Sequence, residues 1–170
     1  MALKITESTE ESLILTLLDL ANHLTRNGER IARREGLTAQ QWLLLLQIAG
    51  DPNFPNLGAT AETGSAVLAS NIAAARGVSR PTISALVSSL VQRGLASQTE
   101  DPGDRRQKAL RATPAGLEVL DRIQEPRHSA NQALLADFDA SEIERVLRVL
   151  RSCLDTLWQA GQDEGRERGD

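Results

Sequence analysis

Apolar residues recur every three or four positions along most of the chain, which is the spacing of amphipathic helices. The first such stretch has its apolar positions at Leu13, Leu17, Leu20, Leu24 and Ile31. Ser8 and Glu11 fit a capping box at its start, so the pattern predicts a helix over residues 8–34. Thr38 and Gln41 repeat this capping pair, and the run TAQQWLLLLQIAG after them predicts a second helix that ends at a glycine.

A loop rich in proline, glycine and asparagine, residues 51–64, is followed by two short helical patterns. The first pattern ends at Gly77, and its apolar positions are Leu68, Ile72 and Ala75. The second is capped by Ser79 and stopped by Gly94, and its inward positions are Ile83, Leu86, Val87 and Leu90. Two short helices joined by a brief turn that contains glycine predict a helix-turn-helix.

The segments LASQTE and KALRAT are two predicted strands, and the turn between them is rich in aspartate, proline and glycine. Thr113 and Pro114 then start a helix that Pro126 is expected to kink or break. Asp139 with Glu142 opens the last helix, whose apolar positions are Ile143, Val146, Leu147, Leu150, Leu154 and Leu157. The predicted fold is mainly α with a small β-hairpin wing, which is a winged helix-turn-helix with additional helices.

Composition limits the class of protein. The chain has 170 residues, 41% of them hydrophobic, which suits one domain with its own core. It has no apolar run long enough to span a bilayer, its start lacks the apolar core of a signal peptide, and it has one cysteine, Cys153. These features predict a cytoplasmic protein without an intrachain disulfide. We expect Cys153, beside the apolar positions of the last helix, to be a buried structural cysteine.

Charge is distributed unevenly along the chain. The net charge is −4, yet residues 76–113 carry seven Lys or Arg against three acids, and the remainder carries twelve basic and twenty acidic residues. Such an asymmetry concentrates attraction for phosphate on one region. A helix-turn-helix with a basic hairpin therefore favours a nucleic-acid partner.

The segments LASNIAAARGVSRPTISALVSSLVQRGLAS and DPGDRRQKALRATPAGLEVL, with their spacing, resemble the MarR (multiple antibiotic resistance regulator) family of transcription regulators. The resemblance implies a single domain, residues 1–170, with a winged helix-turn-helix DNA-binding region at 38–113. Helices at 8–34 and 114–160 would form a dimerisation lobe. It also implies a homodimer that binds a palindromic operator on double-stranded DNA, commonly to repress, and that is released by a small molecule or an oxidant. Family members often have basic residues where this chain has Ala85 and Ser89, so the base contacts are expected to differ.

The candidate DNA-binding residues lie on the second helix of the helix-turn-helix and on the hairpin. Serine and threonine are poor helix formers, but they reach phosphates and base edges. The alternative interpretation is that these residues only cap the helix and line its solvated surface. On the hairpin, Arg105 is expected to enter the minor groove and Arg106 and Lys108 to pair with phosphates, against the interpretation of a charged surface turn. The full set is Ser79, Arg80, Pro81, Thr82, Ser84, Ser88, Arg105, Arg106 and Lys108.

Effector and catalytic chemistry leave weaker signals. His23, Asn27 and Arg30 share a stripe of the first helix, and with Trp42 they suit a small aromatic or phenolic acid; a solvated edge and a core tryptophan are the alternative. No cofactor, metal site or catalytic arrangement is expected, which argues against an enzyme. The alternative function is a winged helix that binds another protein and not DNA.

Overall fold

The computed structural model describes residues 8–54, 67–100 and 108–167. Within these ranges the chain forms six α-helices, one short 3-10 helix and three strands. In chain order they are α1 (Thr9–Ala32), the 3-10 helix (Arg33–Glu35), α2 (Ala39–Ala49), β1 (Val67–Leu68), α3 (Ala69–Arg76), α4 (Arg80–Gln92), β2 (Ala96–Glu100), β3 (Lys108–Ala112), α5 (Pro114–Leu134) and α6 (Ala140–Glu167). The predicted fold, mainly α with a hairpin wing, is confirmed.

Side chains cap the helices where the sequence predicts it. The hydroxyls of Ser8, Thr38 and Thr113 accept the backbone N–H three residues ahead, and Thr38 and Gln41 complete a reciprocal capping box. The carboxylate of Asp139 accepts the backbone N–H of Glu142 at 2.9 Å, and the carboxylate of Glu142 accepts the backbone N–H of Asp139 at 2.9 Å. Each cap satisfies donors that a helix start otherwise leaves unpaired, which fixes where the helices begin.

The sheet contains one strand that the sequence analysis missed. Strands β2 and β3 form the predicted antiparallel hairpin, with Ala96 opposite Ala112 and Glu100 opposite Lys108. Strand β1 pairs with the other edge of β3, giving the order β1-β3-β2. A strand of two residues is too short to show an alternating pattern, so its pairing with β3 is the only signal of it.

One core joins the helix-turn-helix to the sheet and to α5. Its largest fully buried side chains come from the α1–α2 connection, α2, α3, α4 and β3: Leu37, Leu44, Leu45, Ile48, Ile72, Ile83, Leu90 and Leu110. Val119 and Ile123 add the inner face of α5. Among the described residues, no α6 side chain belongs to this core. The helix-turn-helix, the sheet and α5 therefore share a core without the described side chains of α6.

Helix α5 runs without interruption through Pro126, so of the expected kink or break, the break is wrong. Proline removes one backbone donor and crowds the preceding turn, which usually ends a helix. Here Ile123 is buried before the proline, Ala130 packs against the core after it, and Arg127 is paired with Asp51 at 2.9 Å. These tertiary contacts hold both halves of α5 and outweigh the local cost.

Two long apolar faces remain exposed in the single chain. On α1, Leu13, Leu15 and Leu18 are about half exposed or more, and on α6, Leu154 and Leu157 are 45% and 71% exposed. An apolar surface of this extent on a protein marks an interface. Cys153 lies on α6 and is exposed, so the expectation that it is buried is wrong for the single chain. No described helix is both long and apolar enough to cross a bilayer.

Candidate nucleic-acid interface

Helix α4 divides into a buried side and an exposed side. Ile83, Val87 and Leu90 recur at intervals of four and three residues and pack into the core. The exposed side carries seven residues, which are Arg80, Pro81, Thr82, Ser84, Ala85, Ser88 and Gln92. Its centre consists of Ser84, Ala85 and Ser88, whose small side chains let another surface approach the helix backbone closely.

The N-terminus of α4 combines the capping residue Ser79, the basic residue Arg80 and a second hydroxyl from Thr82. Ser79 accepts the backbone N–H of Thr82 at 3.3 Å, and the two hydroxyl oxygens lie 2.7 Å apart. Arg80 is exposed and makes no hydrogen bond or ion pair in the described parts of the chain. A helix N-terminus carries a partial positive charge and attracts phosphate. Arg80 adds a full charge at the same end, on an arm that is free to move.

The hairpin lies beside α4, and one of its three predicted DNA-binding residues, Lys108, is among the described residues. Lys108 is exposed at the start of β3, and its Nζ is 3.8 Å from a carboxylate oxygen of Glu100 on β2. Because both side chains are about half exposed, this pair is weak and leaves the ammonium available. Arg105 and Arg106 lie outside the described residues, so their predicted roles stay predictions.

Two basic residues of the region 76–113, Arg76 and Arg93, donate hydrogen bonds to other parts of the protein. Arg76 at the end of α3 donates to the side-chain oxygens of Gln40 and Gln47 on α2, and its burial lowers its pKa. Arg93 donates to backbone carbonyls before α2. The local excess of positive charge therefore overstates the charge that this region offers to a phosphate backbone.

Ser89 differs from the other serines of α4. It is half-buried, and its hydroxyl accepts a 2.7 Å hydrogen bond from the Gln41 side chain on α2. A side chain turned toward α2 does not extend from the exposed face, so Ser89 is set apart from Ser84 and Ser88. No local pattern could have found it, because the two residues are 48 positions apart.

A groove of about 540 Å³ runs along the C-terminal half of α1. Its described lining is Thr25, Arg26, Glu29, Arg30 and Arg33. The three arginines recur at i, i+4 and i+7, a spacing that puts them on one face and could have found them from sequence. With one glutamate against three arginines, the groove favours an anion.

Of the four predicted effector residues, Arg30 lines this groove. Arg30 donates to the side-chain oxygen of Asn27 at 2.7 Å, and His23 is exposed beside Asp19. Trp42 is buried on α2, against Gly28 of α1, and its indole nitrogen has no hydrogen-bond partner among the described residues. The four side chains therefore share one region of α1 and α2, and only Arg30 of them is among the described lining of the groove.

Glu29 joins the groove to the start of α2. One carboxylate oxygen accepts the backbone N–H of Ala39 at 2.6 Å, and the other accepts from Arg33 at 3.2 Å. The bond from Ala39 is the main cause that lowers the pKa of Glu29. An ionised Glu29 therefore holds the first turn of α2 against the wall of the groove.

Comparison with known proteins finds a family model that matches the central region of the chain. The model of the MarR family matches residues 35–107, from the last residue of the 3-10 helix to the residue before β3. The transcriptional activatory protein BadR of Rhodopseudomonas palustris is 29% identical over 146 residues, which cover 85% of this chain and 78% of the relative.

Solved structures show the same fold. CouR from Rhodococcus jostii RHA1, bound to p-coumaroyl-CoA, has a TM-score of 0.71 at 17% identity, over 88% of this chain and 96% of its own. The S. aureus MepR–DNA complex has a TM-score of 0.67 at 18% identity, over 89% of this chain and 99% of its own. The resemblance to MarR-family transcription regulators and the winged-helix fold are confirmed.

Proposed function

We propose that this chain, which has the fold and the DNA-binding winged helix of the MarR-family transcription regulators, binds a palindromic operator as a homodimer in the cytoplasm. It represses transcription there and leaves the DNA when a small anionic ligand binds. The observation that carries the proposal is the exposed side of α4, which presents small hydroxyl side chains and Arg80 at a helix N-terminus.

The chemistry of that face supports a DNA partner over a protein partner. Ser84 and Ser88 are exposed and make no hydrogen bond within the described residues, so their hydroxyls are free for base edges and phosphates. A protein interface would instead be enriched in aromatic side chains at its centre, and α4 contains none. Two copies of α4 would read half-sites about 34 Å apart, one turn of the duplex.

The exposed apolar faces of α1 and α6 support the homodimer. They flank the DNA-binding region in sequence, and the described side chains of α6 contribute nothing to the core described above. A second copy of the chain offers the same apolar faces, which is the self-complementary arrangement of a two-fold interface. Dimerisation would therefore bury α6 and place two copies of α4 on one duplex.

Fluorescence anisotropy with DNA from beside the protein's own gene tests the DNA partner. We expect the affinity to fall linearly with salt on logarithmic axes, with a slope of about −0.9 for each phosphate contact. The variant Arg80→Ala should flatten that slope, whereas Arg34→Ala, an exposed arginine outside the winged helix, should not. Binding that is weak and insensitive to salt would favour the protein-interaction alternative.

Sedimentation of the chain tests the homodimer. Leu154→Arg places a charge in the apolar face of α6, and we expect it to convert the dimer to a monomer whose helical content persists. Arg148→Ala on the same helix is the control for a change of surface charge alone. A wild-type chain that sediments as a monomer at micromolar concentration contradicts the proposal.

Calorimetric titration with benzoate and 4-hydroxybenzoate tests the effector. Arginine pairs a carboxylate through two parallel hydrogen bonds, so Arg30→Ala should abolish binding, and Arg30→Lys should weaken it.

A reporter gene behind the operator tests the direction of regulation: deletion of the protein should raise expression. A fall in expression would show activation, the role that the name of BadR gives to that relative.

A further inference from the structure

Side chains tie the C-terminal half of α4 and the residue after it to the first turn of α2 and to the turn that precedes α2. Gln41 donates to the Ser89 hydroxyl at 2.7 Å, and its side-chain oxygen accepts the backbone N–H of Thr38 at 2.9 Å. Both ends of the Gln41 amide are therefore occupied, which fixes its orientation. Ser89 is held at a set distance from the first turn of α2.

Arg93 makes a second tie one turn further along. Its guanidinium donates to the carbonyl of Gly36 at 2.6 Å and to that of Glu35 at 3.0 Å. These carbonyls end the 3-10 helix, where backbone oxygens lack helical partners and carry partial negative charge. An exposed arginine at the end of a helix that reads DNA suggests a phosphate contact. In Arg93, however, two of the three guanidinium nitrogens already donate to backbone carbonyls.

The backbone at Gly36 fits this arrangement closely. Gly36 has φ +67, and a Cβ there would lie 3.3 Å from an Arg93 nitrogen. A side chain at Gly36 would therefore strain the backbone and displace the guanidinium together. The turn before α2 is shaped to receive Arg93.

We propose that Gln41, Ser89 and Arg93, with the carbonyls of Glu35 and Gly36, are positioning residues that set the tilt of α4 on DNA and hence its sequence discrimination. These residues and carbonyls are called the α4 clamp. The inference rests on the proposed function, because it takes α4 as the helix that reads DNA. The clamp lies toward the C-terminal end of α4 and Arg80 lies at its N-terminus, so the clamp acts on the orientation of the helix and not through a contact with DNA.

Helix geometry gives the size of the effect. Helix α4 has 13 residues. At a rise of about 1.5 Å per residue, its N-terminus lies about 20 Å from Arg93, and a tilt of about 10° there moves the N-terminus by about 3 Å. Hydrogen bonds to base edges tolerate only a few tenths of an ångström, whereas a flexible arginine follows a phosphate. Loss of the clamp should therefore reduce operator affinity and leave binding to unrelated DNA unchanged.

Arg93→Met, which keeps the apolar stem and removes every donor, tests the clamp together with Arg93→Lys and Ser89→Ala. Affinities for the operator and for a scrambled duplex of equal length are measured between 50 and 200 mM salt, roughly the range over which phosphate contacts dominate. Arg93→Met should lower the ratio of the two affinities about tenfold, the cost of one good base contact. The salt slope should not change, and Arg93→Lys should recover part of the ratio.

Two results would overturn the proposal. A salt slope that falls by about 0.9 per protomer would make Arg93 a direct phosphate contact. An unchanged ratio in folded protein, with only a lower melting temperature, would make the clamp a matter of stability alone. If Arg93→Met does not fold, Ser89→Ala decides, since it removes one hydroxyl and must still lower the ratio. A wild-type protein that does not discriminate between the two duplexes refutes the proposed function instead.

Discussion

The ion pair between Asp51 and Arg127 should be a large single electrostatic contribution to stability. Arg127 on α5 donates to one carboxylate oxygen of Asp51 at 2.9 Å, and the backbone and side chain of Asn53 donate to the other at 2.9 and 2.8 Å. The two charged side chains are 26% and 9% exposed. The pair joins the end of α2 to the second half of α5, past Pro126.

Asp51→Asn removes the charge and turns an amide donor or a weaker acceptor toward Arg127. Hydrogen bonds to charged groups contribute about 1.5–3 kcal/mol, and the shelter of this pair places the loss near 2 kcal/mol. For a chain of this length, that loss lowers the melting temperature by about 4–8 °C. Glu100→Gln is the matched control: its pair with Lys108 is 3.8 Å long and about half exposed, so its loss should stay below about 0.5 kcal/mol.

The pH dependence of the stability difference tests whether the ionised Asp51 carboxylate is its cause. Burial raises the pKa of Asp51, but the bonds from Arg127 and Asn53 outweigh it and leave the pKa below its ordinary value. A depressed pKa contributes stability above the unfolded value of about 3.9, and that stability is lost as the pH falls through the folded pKa. The difference in unfolding free energy between wild type and Asp51→Asn should therefore have its full size at pH 7. It should begin to shrink near pH 4 and disappear below the folded pKa of Asp51.

Urea denaturation at several pH values measures this difference, and a double-mutant cycle with Arg127→Met isolates the pair. The reasoning is refuted if Asp51→Asn is as stable as wild type at pH 7. It is also refuted if the loss is the same at pH 3 and pH 7, because a lost packing contact would not titrate.

Three further variants test other parts of the molecule. Gly116→Ala should destabilise the protein by about 3 kcal/mol in urea denaturation, since a Cβ there would lie 2.1 Å from the Leu95 carbonyl oxygen; equal stability would contradict that geometry. Arg105→Ala should cost operator binding about 1–3 kcal/mol in anisotropy titrations and leave the melting temperature unchanged, while Arg106→Ala should weaken operator and scrambled DNA alike. If neither matters, the hairpin tip does not contact DNA. Cys153→Ala should leave DNA binding and its response to peroxide unchanged in a gel-shift assay; a lost response would make Cys153 a sensor.

Local chemistry explains why the helix boundaries could be predicted. The caps at Thr38, Ser79 and Thr113 depend on residues within three positions, and the sequence shows these directly. The continuity of α5 through Pro126 depends on packing and on Asp51, 76 residues before Arg127, so the local proline signal was misleading.

The candidate site divides in the same way. The exposed side of α4 followed from its apolar period, because Ile83, Val87 and Leu90 fix which side faces the core. The ties from Ser89 and Arg93 join residues 48 or more positions apart, and only the folded chain brings them together. Charge counted along the sequence likewise could not separate Arg80, which is free within the described residues, from Arg76, which is bonded to α2.

The separation of the core from α6 has a genetic consequence. Because the described side chains of α6 take no part in the core, a change on the exposed side of α4 leaves the surfaces of the proposed homodimer intact. Such a mutant chain would pair with a normal chain, and the mixed dimer would hold only one competent half-site reader. Alleles that damage α4 should therefore be dominant over the normal allele. Alleles that place a charge on the apolar face of α6 should be recessive, since their products would fold but never enter a dimer with the normal chain.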